Sequence, residues 1–129
     1  MQVRATSLRL IVALMMVAAT AATMYVLSFE RHAGAATPPT CFGRTATQTG
    51  TAGSNEITGT PGRDVIVARA GNDEVHGLGG DDFICGNRGN DHLEGDGGND
   101  HIDGGLGTDR LDGGAGADVC RNGEDNNNC

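Results

Sequence analysis

The chain has 129 residues, 3% aromatic side chains, no Trp and 22 glycines, which excludes a conventional large apolar core and leaves room for one small domain beside its termini. All nine basic residues are arginine and they face 17 acids, for a net charge of -8, so no basic patch exists to hold a nucleic acid.

Much of the hydrophobic content sits in one run, Leu10 to Phe29, preceded by Arg4 and Arg9 and followed by Ala33, Gly34 and Ala35. A basic start, an apolar stretch and small residues predict an export signal over 1–35, cleaved before Ala36. The run is also long enough to span a bilayer, so an uncleaved anchor is the alternative, and only then would the chain touch a membrane. Both outcomes place the remainder outside the cell. From Ala36 onward six arginines meet 16 acids, a net charge of -10 on 94 residues, and such a chain repels itself unless a cation joins it.

From Gly50 to Arg121 the sequence falls into eight consecutive blocks of nine: GTAGSNEIT, GTPGRDVIV, ARAGNDEVH, GLGGDDFIC, GNRGNDHLE, GDGGNDHID, GGLGTDRLD and GGAGADVCR. The fourth position is always glycine: Gly53, Gly62, Gly71, Gly80, Gly89, Gly98, Gly107 and Gly116. The sixth is Asn55, then Asp64, Asp73, Asp82, Asp91, Asp100, Asp109 and Asp118. The eighth holds one apolar residue per block: Ile57, Ile66, Val75, Ile84, Leu93, Ile102, Leu111 and Cys120.

This frame resembles the G-G-x-G-x-D-x-U-x nonapeptide of the RTX, or haemolysin-type, calcium-binding repeats. The resemblance implies an all-β fold, a right-handed parallel β-roll in which six residues of each block turn, three form a short strand, and two blocks close one coil. It also implies Ca2+ ions held between the turns of successive coils.

Glycine at the first and fourth positions allows positive φ and close approach to a ligand. A three-residue strand turns its central side chain to one face, so the eighth positions stack inward as a thin core. That stack is too small to offset the entropy of ordering 72 backbones, and a further source of binding energy is implied.

Alternate blocks turn on opposite edges, which lines Asn55, Asp73, Asp91 and Asp109 along one edge and Asp64, Asp82, Asp100 and Asp118 along the other. Coils about 4.8 Å apart bring these carboxylates within repelling distance, and a hard, oxygen-seeking cation relieves it. Three gaps per edge set an upper bound of six ions. The predicted ligands are Asp64, Asp73, Asp82, Asp91, Asp100, Asp109 and Asp118, with the turn glycines Gly62, Gly80, Gly89, Gly98, Gly107 and Gly116. The best-formed sites are expected between Asp82 and Asp100, Asp100 and Asp118, and Asp91 and Asp109. Asn55 has no charge and the block at Ala68 lacks its first glycine, which weakens the sites they border. An EF-hand over Asp96 to Asp103 fails for want of flanking helices. Without calcium, the composition is that of a disordered acidic segment.

His76, His92 and His101 fall on outward strand positions without zinc spacing and read as surface residues. No catalytic constellation can be singled out, so no enzymatic activity is expected. Val65, Val67, Phe83 and Cys85 form an outward apolar patch on one face, and Thr40-Cys41-Phe42, in the segment 36–49, is placed to cover it. Four cysteines allow three pairings. The patch favours Cys41 with Cys85, and an open last coil favours Cys120 with Cys129 holding 122–129 as a cap, while the swapped pairings stay open. A ladder of one residue type, as an ice-binding or adhesive solenoid would show, is absent from the outward positions.

Overall fold

A computed structural model describes residues 36–129; the expected export signal or anchor over 1–35 lies outside them. The described residues contain strands and no helix. A short hairpin, β1 (Thr40–Cys41) against β2 (Arg44–Thr45), precedes two all-parallel sheets of five strands each. One sheet orders β3 (Gln48–Thr49), β5 (Val65–Ala70), β7 (Phe83–Arg88), β9 (His101–Leu106) and β11 (Val119–Arg121). The other orders β4 (Glu56–Thr58), β6 (Glu74–His76), β8 (His92–Glu94), β10 (Arg110–Asp112) and β12 (Asp125–Asn127). Consecutive strands alternate between the sheets, which makes a parallel β-solenoid of about four turns.

Register follows the nine-residue frame, because Val75 pairs with Leu93 and Ile84 with Ile102, one coil of two blocks apart. Ile66, Val75, Ile84, Leu93, Ile102 and Leu111 are fully buried in one column, and Ile57 and Cys120 close it half-buried at its ends. The three central strands of the first sheet, β5, β7 and β9, are six residues long because they continue through the kinks at Arg69, Asn87 and Gly105 into the next turn.

The sheets also reach past the repeat frame. Gln48 and Thr49 pair with Ile66 and Val67, and the tail adds β12 beside β10. Leu111 pairs with Asn126 only 15 residues on, because the last turn is three residues shorter than the others. Gly123 lies on Leu111 so closely that a Cβ there would meet its side chain at 2.6 Å, and the core column is thereby sealed.

On the outer face of the first sheet Cys41, Val65, Val67, Phe83 and Cys85 form a second buried cluster, with Phe42 and Ala46 against it. Cys41 is bonded to Cys85 and Cys120 to Cys129. The amino-terminal hairpin is thus stapled over the apolar patch, where the Phe42 and Phe83 rings meet edge-on at 5.9 Å.

Candidate metal centre

Each edge of the solenoid carries one column of sixth-position side chains, and a single hydrogen bond repeats down it. The main-chain N–H of Asp82 donates to Asp100 Oδ1 at 2.8 Å, and that of Asp100 to Asp118 Oδ1 at 2.8 Å. On the opposite edge the N–H of Asp73 donates to Asp91 Oδ1 and that of Asp91 to Asp109 Oδ1, each at 2.9 Å. The column ends on Glu124, whose Oε2 accepts from the N–H of Asp109 at 2.6 Å. Glu124 is missed by the nine-residue frame because the shortened last turn puts it out of phase.

One carboxylate oxygen of each aspartate is consumed in this ladder. The other, Oδ2 of Asp73, Asp82, Asp91, Asp100, Asp109 and Asp118, is buried and has no hydrogen-bond partner. Buried acceptors without partners are costly, and for an ionised carboxylate the cost is larger still. The acidities record it. Burial, reinforced by neighbouring carboxylates, pushes Asp82 and Asp91 up to about 6 against the downward pull of the ladder hydrogen bond. Burial also raises Asp73, Asp100 and Asp109.

Asp64 differs from the others. Its Oδ1 accepts from the Thr47 hydroxyl at 3.2 Å, and its Oδ2 from the N–H and hydroxyl of Thr60 at 2.6 and 2.9 Å. Both oxygens are satisfied within the chain, so Asp64 lacks the unpartnered oxygen that the other aspartates present. Asn55 is likewise held by its own turn, through Thr51.

The first-position glycines have ordinary φ, and positive φ is not their reason. They are there for space. A Cβ built on Gly77 would stand 2.7 Å from Asp82 Oδ2 and 2.8 Å from the Gly95 carbonyl oxygen of the next coil. The same pair of groups, an orphaned Oδ2 and a carbonyl, crowds the missing side chain at Gly86 (Asp91, Gly104), Gly95 (Asp100, Gly113), Gly104 (Asp109, Asn122) and Gly113 (Asp118, Asn128). Each is a cradle of oxygens that only glycine leaves open. Behind Asp73 the corresponding residue is Ala68, buried with the inward apolar column, so this turn has no glycine at that position.

The fourth-position glycines do need their backbone freedom: Gly80, Gly89, Gly98, Gly107 and Gly116 all have positive φ, and a Cβ on any of them would strike the same glycine of the coil before. Gly62 does not share this. Its φ is ordinary and a Cβ would approach nothing closer than 4.0 Å, since no complete turn precedes it. Positive φ also falls on the second position, at Arg69, Leu78, Asn87 and Asp96, where the sequence shows no glycine to announce it. The fifth position forms a further ladder of amide acceptors, with Asn72 Oδ1 accepting from the Asn90 N–H and Asn90 Oδ1 from the Thr108 N–H, each at 3.0 Å.

Six inward, unsatisfied carboxylate oxygens, five of them paired with main-chain carbonyls, form a donor set of hard oxygens that suits a divalent cation of the calcium type and no imidazole- or thiolate-seeking metal. The family model described as RTX calcium-binding nonapeptide repeat (4 copies) matches residues 49–84 and 86–127. No curated protein and no solved structure matches the chain.

Proposed function

The chain belongs to the family of RTX calcium-binding nonapeptide repeats, and from that premise we propose that it is an exported, non-catalytic protein whose roll is completed by Ca2+ held at the turns. The observation that carries this reading is the row of buried Oδ2 atoms without partners. Asp82, Asp91 and Asp100 would hold ions against the Gly95, Gly104 and Gly113 carbonyls, between turns of the repeat. Asp109 and Asp118 would hold two more against the tail, with the Asn122 and Asn128 carbonyls and, for Asp109, Glu124 nearby. Asp73 has the orphaned oxygen but no glycine behind it, and Asp64 has the cradle, at Gly59 beside the Gly77 carbonyl, but no orphaned oxygen, so we assign five sites rather than the six gaps of the frame. Bound calcium supplies the positive charge that the carboxylate columns lack and takes up both carboxylate and carbonyl oxygens.

Because the ions join the folded and not the unfolded chain, binding and folding are one equilibrium. Extracellular modules bind calcium at roughly 10⁻⁴ to 10⁻³ M, a range that suits a protein released from the cell. The reading is tested by calorimetric titration of the chain with Ca2+: about five equivalents support it, and none at millimolar calcium rejects it.

The length of the Leu10 to Phe29 run favours one second reading, a surface interaction module that keeps its anchor. Mass spectrometry of cell and medium fractions separates the two, since a released species beginning near Ala36 excludes the anchor.

A further inference from the structure

At the end of the second sheet, where β6 and β8 pass into their turns, His76, Glu94 and Asp96 present one ligand atom each, all within 4.8 Å of one another. His76 and Glu94 are register partners on β6 and β8, with His76 Nδ1 3.0 Å from Glu94 Oε2. Asp96 follows two residues later at a positive φ of 66°, and its carboxylate reaches back to the coil of His76, where Oδ2 accepts from the Leu78 N–H at 3.1 Å. We propose that these three side chains form a site for a transition-metal dication of the Zn2+ class, distinct from the calcium cradles.

Four features carry the assignment. The donor set is one imidazole nitrogen and two carboxylates, which suits zinc and its neighbours better than calcium, an oxygen-seeking ion. Asp96 is oriented by the Leu78 N–H, and His76 and Glu94 each have a further charged or polar group close by. His76 Nε2 lies 3.5 Å from Glu74 Oε1 and Glu94 Oε1 lies 3.2 Å from His92 Nε2, charge contacts rather than hydrogen bonds. The ion would take the place of the 3.0 Å contact between His76 Nδ1 and Glu94 Oε2. All four cysteines are in disulfides, so no thiolate competes, and His101 stands on the other sheet stacked on Phe83 at 5.0 Å. With three protein ligands the ion keeps an open position, as sites that exchange metal or meet a further ligand do.

The test uses the full, oxidised chain in saturating calcium, titrated with Zn2+ against a chromophoric zinc chelator while far-ultraviolet circular dichroism reports the roll. The expected result is one tight equivalent of Zn2+, weakened at least tenfold by His76→Gln and by Asp96→Asn, with the calcium-induced signal of His76→Gln unchanged. Saturable zinc uptake that His76→Gln leaves intact, or that further calcium displaces, overturns the site. So does a folded roll that takes up no zinc. Loss of the calcium-induced signal in the parent chain would instead count against the proposed function.

Discussion

Asp82 gives its main-chain N–H to Asp100 Oδ1 at 2.8 Å while its own Oδ2 stays buried without a partner. One interaction stitches the coils together and the other leaves a charge exposed to nothing but the next coil's carbonyls. Structure and demand for a cation are therefore built into the same residue, repeated along both edges.

Removing one such charge should cost calcium binding without breaking the ladder. Asp100→Asn keeps an Oδ1 acceptor for Asp82 but loses the ionised oxygen. It is expected to raise the calcium midpoint of folding about tenfold, the equivalent of about 1.4 kcal/mol. Asp64→Asn, at a carboxylate already satisfied by Thr47 and Thr60, should move it by less than about threefold. Equal shifts in the two variants would refute the distinction between them.

Two glycine substitutions separate space from backbone conformation. Gly95→Ala is compatible with its φ but fills the cradle of Asp100 and Gly113, and calorimetry should show the loss of about one calcium equivalent. Gly98→Ala, at a φ of +136° and against the Gly80 carbonyl, should instead lower the thermal midpoint with calcium bound. Gly53→Ala meets nothing within 4 Å and serves as the neutral reference.

The raised pKa values of Asp82 and Asp91 fix the sign of the pH dependence. Between the ordinary 3.8 and about 6, the folded chain keeps protons on Asp82 and Asp91 that the unfolded chain has released. Without calcium, stability is therefore greatest on the acid side and falls as the pH rises through that window. Thermal unfolding in chelator should give a higher midpoint at about pH 5 than at about pH 7.5, and saturating calcium should reverse the order because ions and protons compete for the same oxygens. A calcium-free midpoint that rises with pH would contradict the burial of these groups.

The two disulfides should contribute unequally. Cys41 and Cys85 are 44 residues apart and Cys120 and Cys129 only nine, so loop closure predicts about 4 and about 2.6 kcal/mol respectively. Cys85→Ala also loosens the hairpin over Val65, Val67 and Phe83. Denaturant unfolding in calcium should find this variant the less stable; a larger loss for Cys129→Ala would contradict the ranking.

The residues legible in the sequence were those that recur in phase. The inward column from Ile66 to Leu111, the edge columns of aspartates and the apolar patch beneath Cys41 follow from a period of nine and from strand alternation. What escaped was whatever breaks the period or substitutes one chemistry for another. Glu124 sits three residues out of phase, Thr60 quietly satisfies Asp64, and the left-handed second position is filled by Leu78 and Asp96, which carry no glycine signal. Across the sheet, His76 and Glu94 are 18 residues apart, and only the register of the coils brings them together with Asp96.

The most direct measurement of the central claim is far-ultraviolet circular dichroism of the oxidised chain as Ca2+ is raised to about 1 mM, with Mg2+ in parallel. A cooperative gain of β signal with calcium and none with magnesium is the predicted result. An unchanged spectrum, whether β-rich or disordered throughout, would contradict a roll completed by calcium.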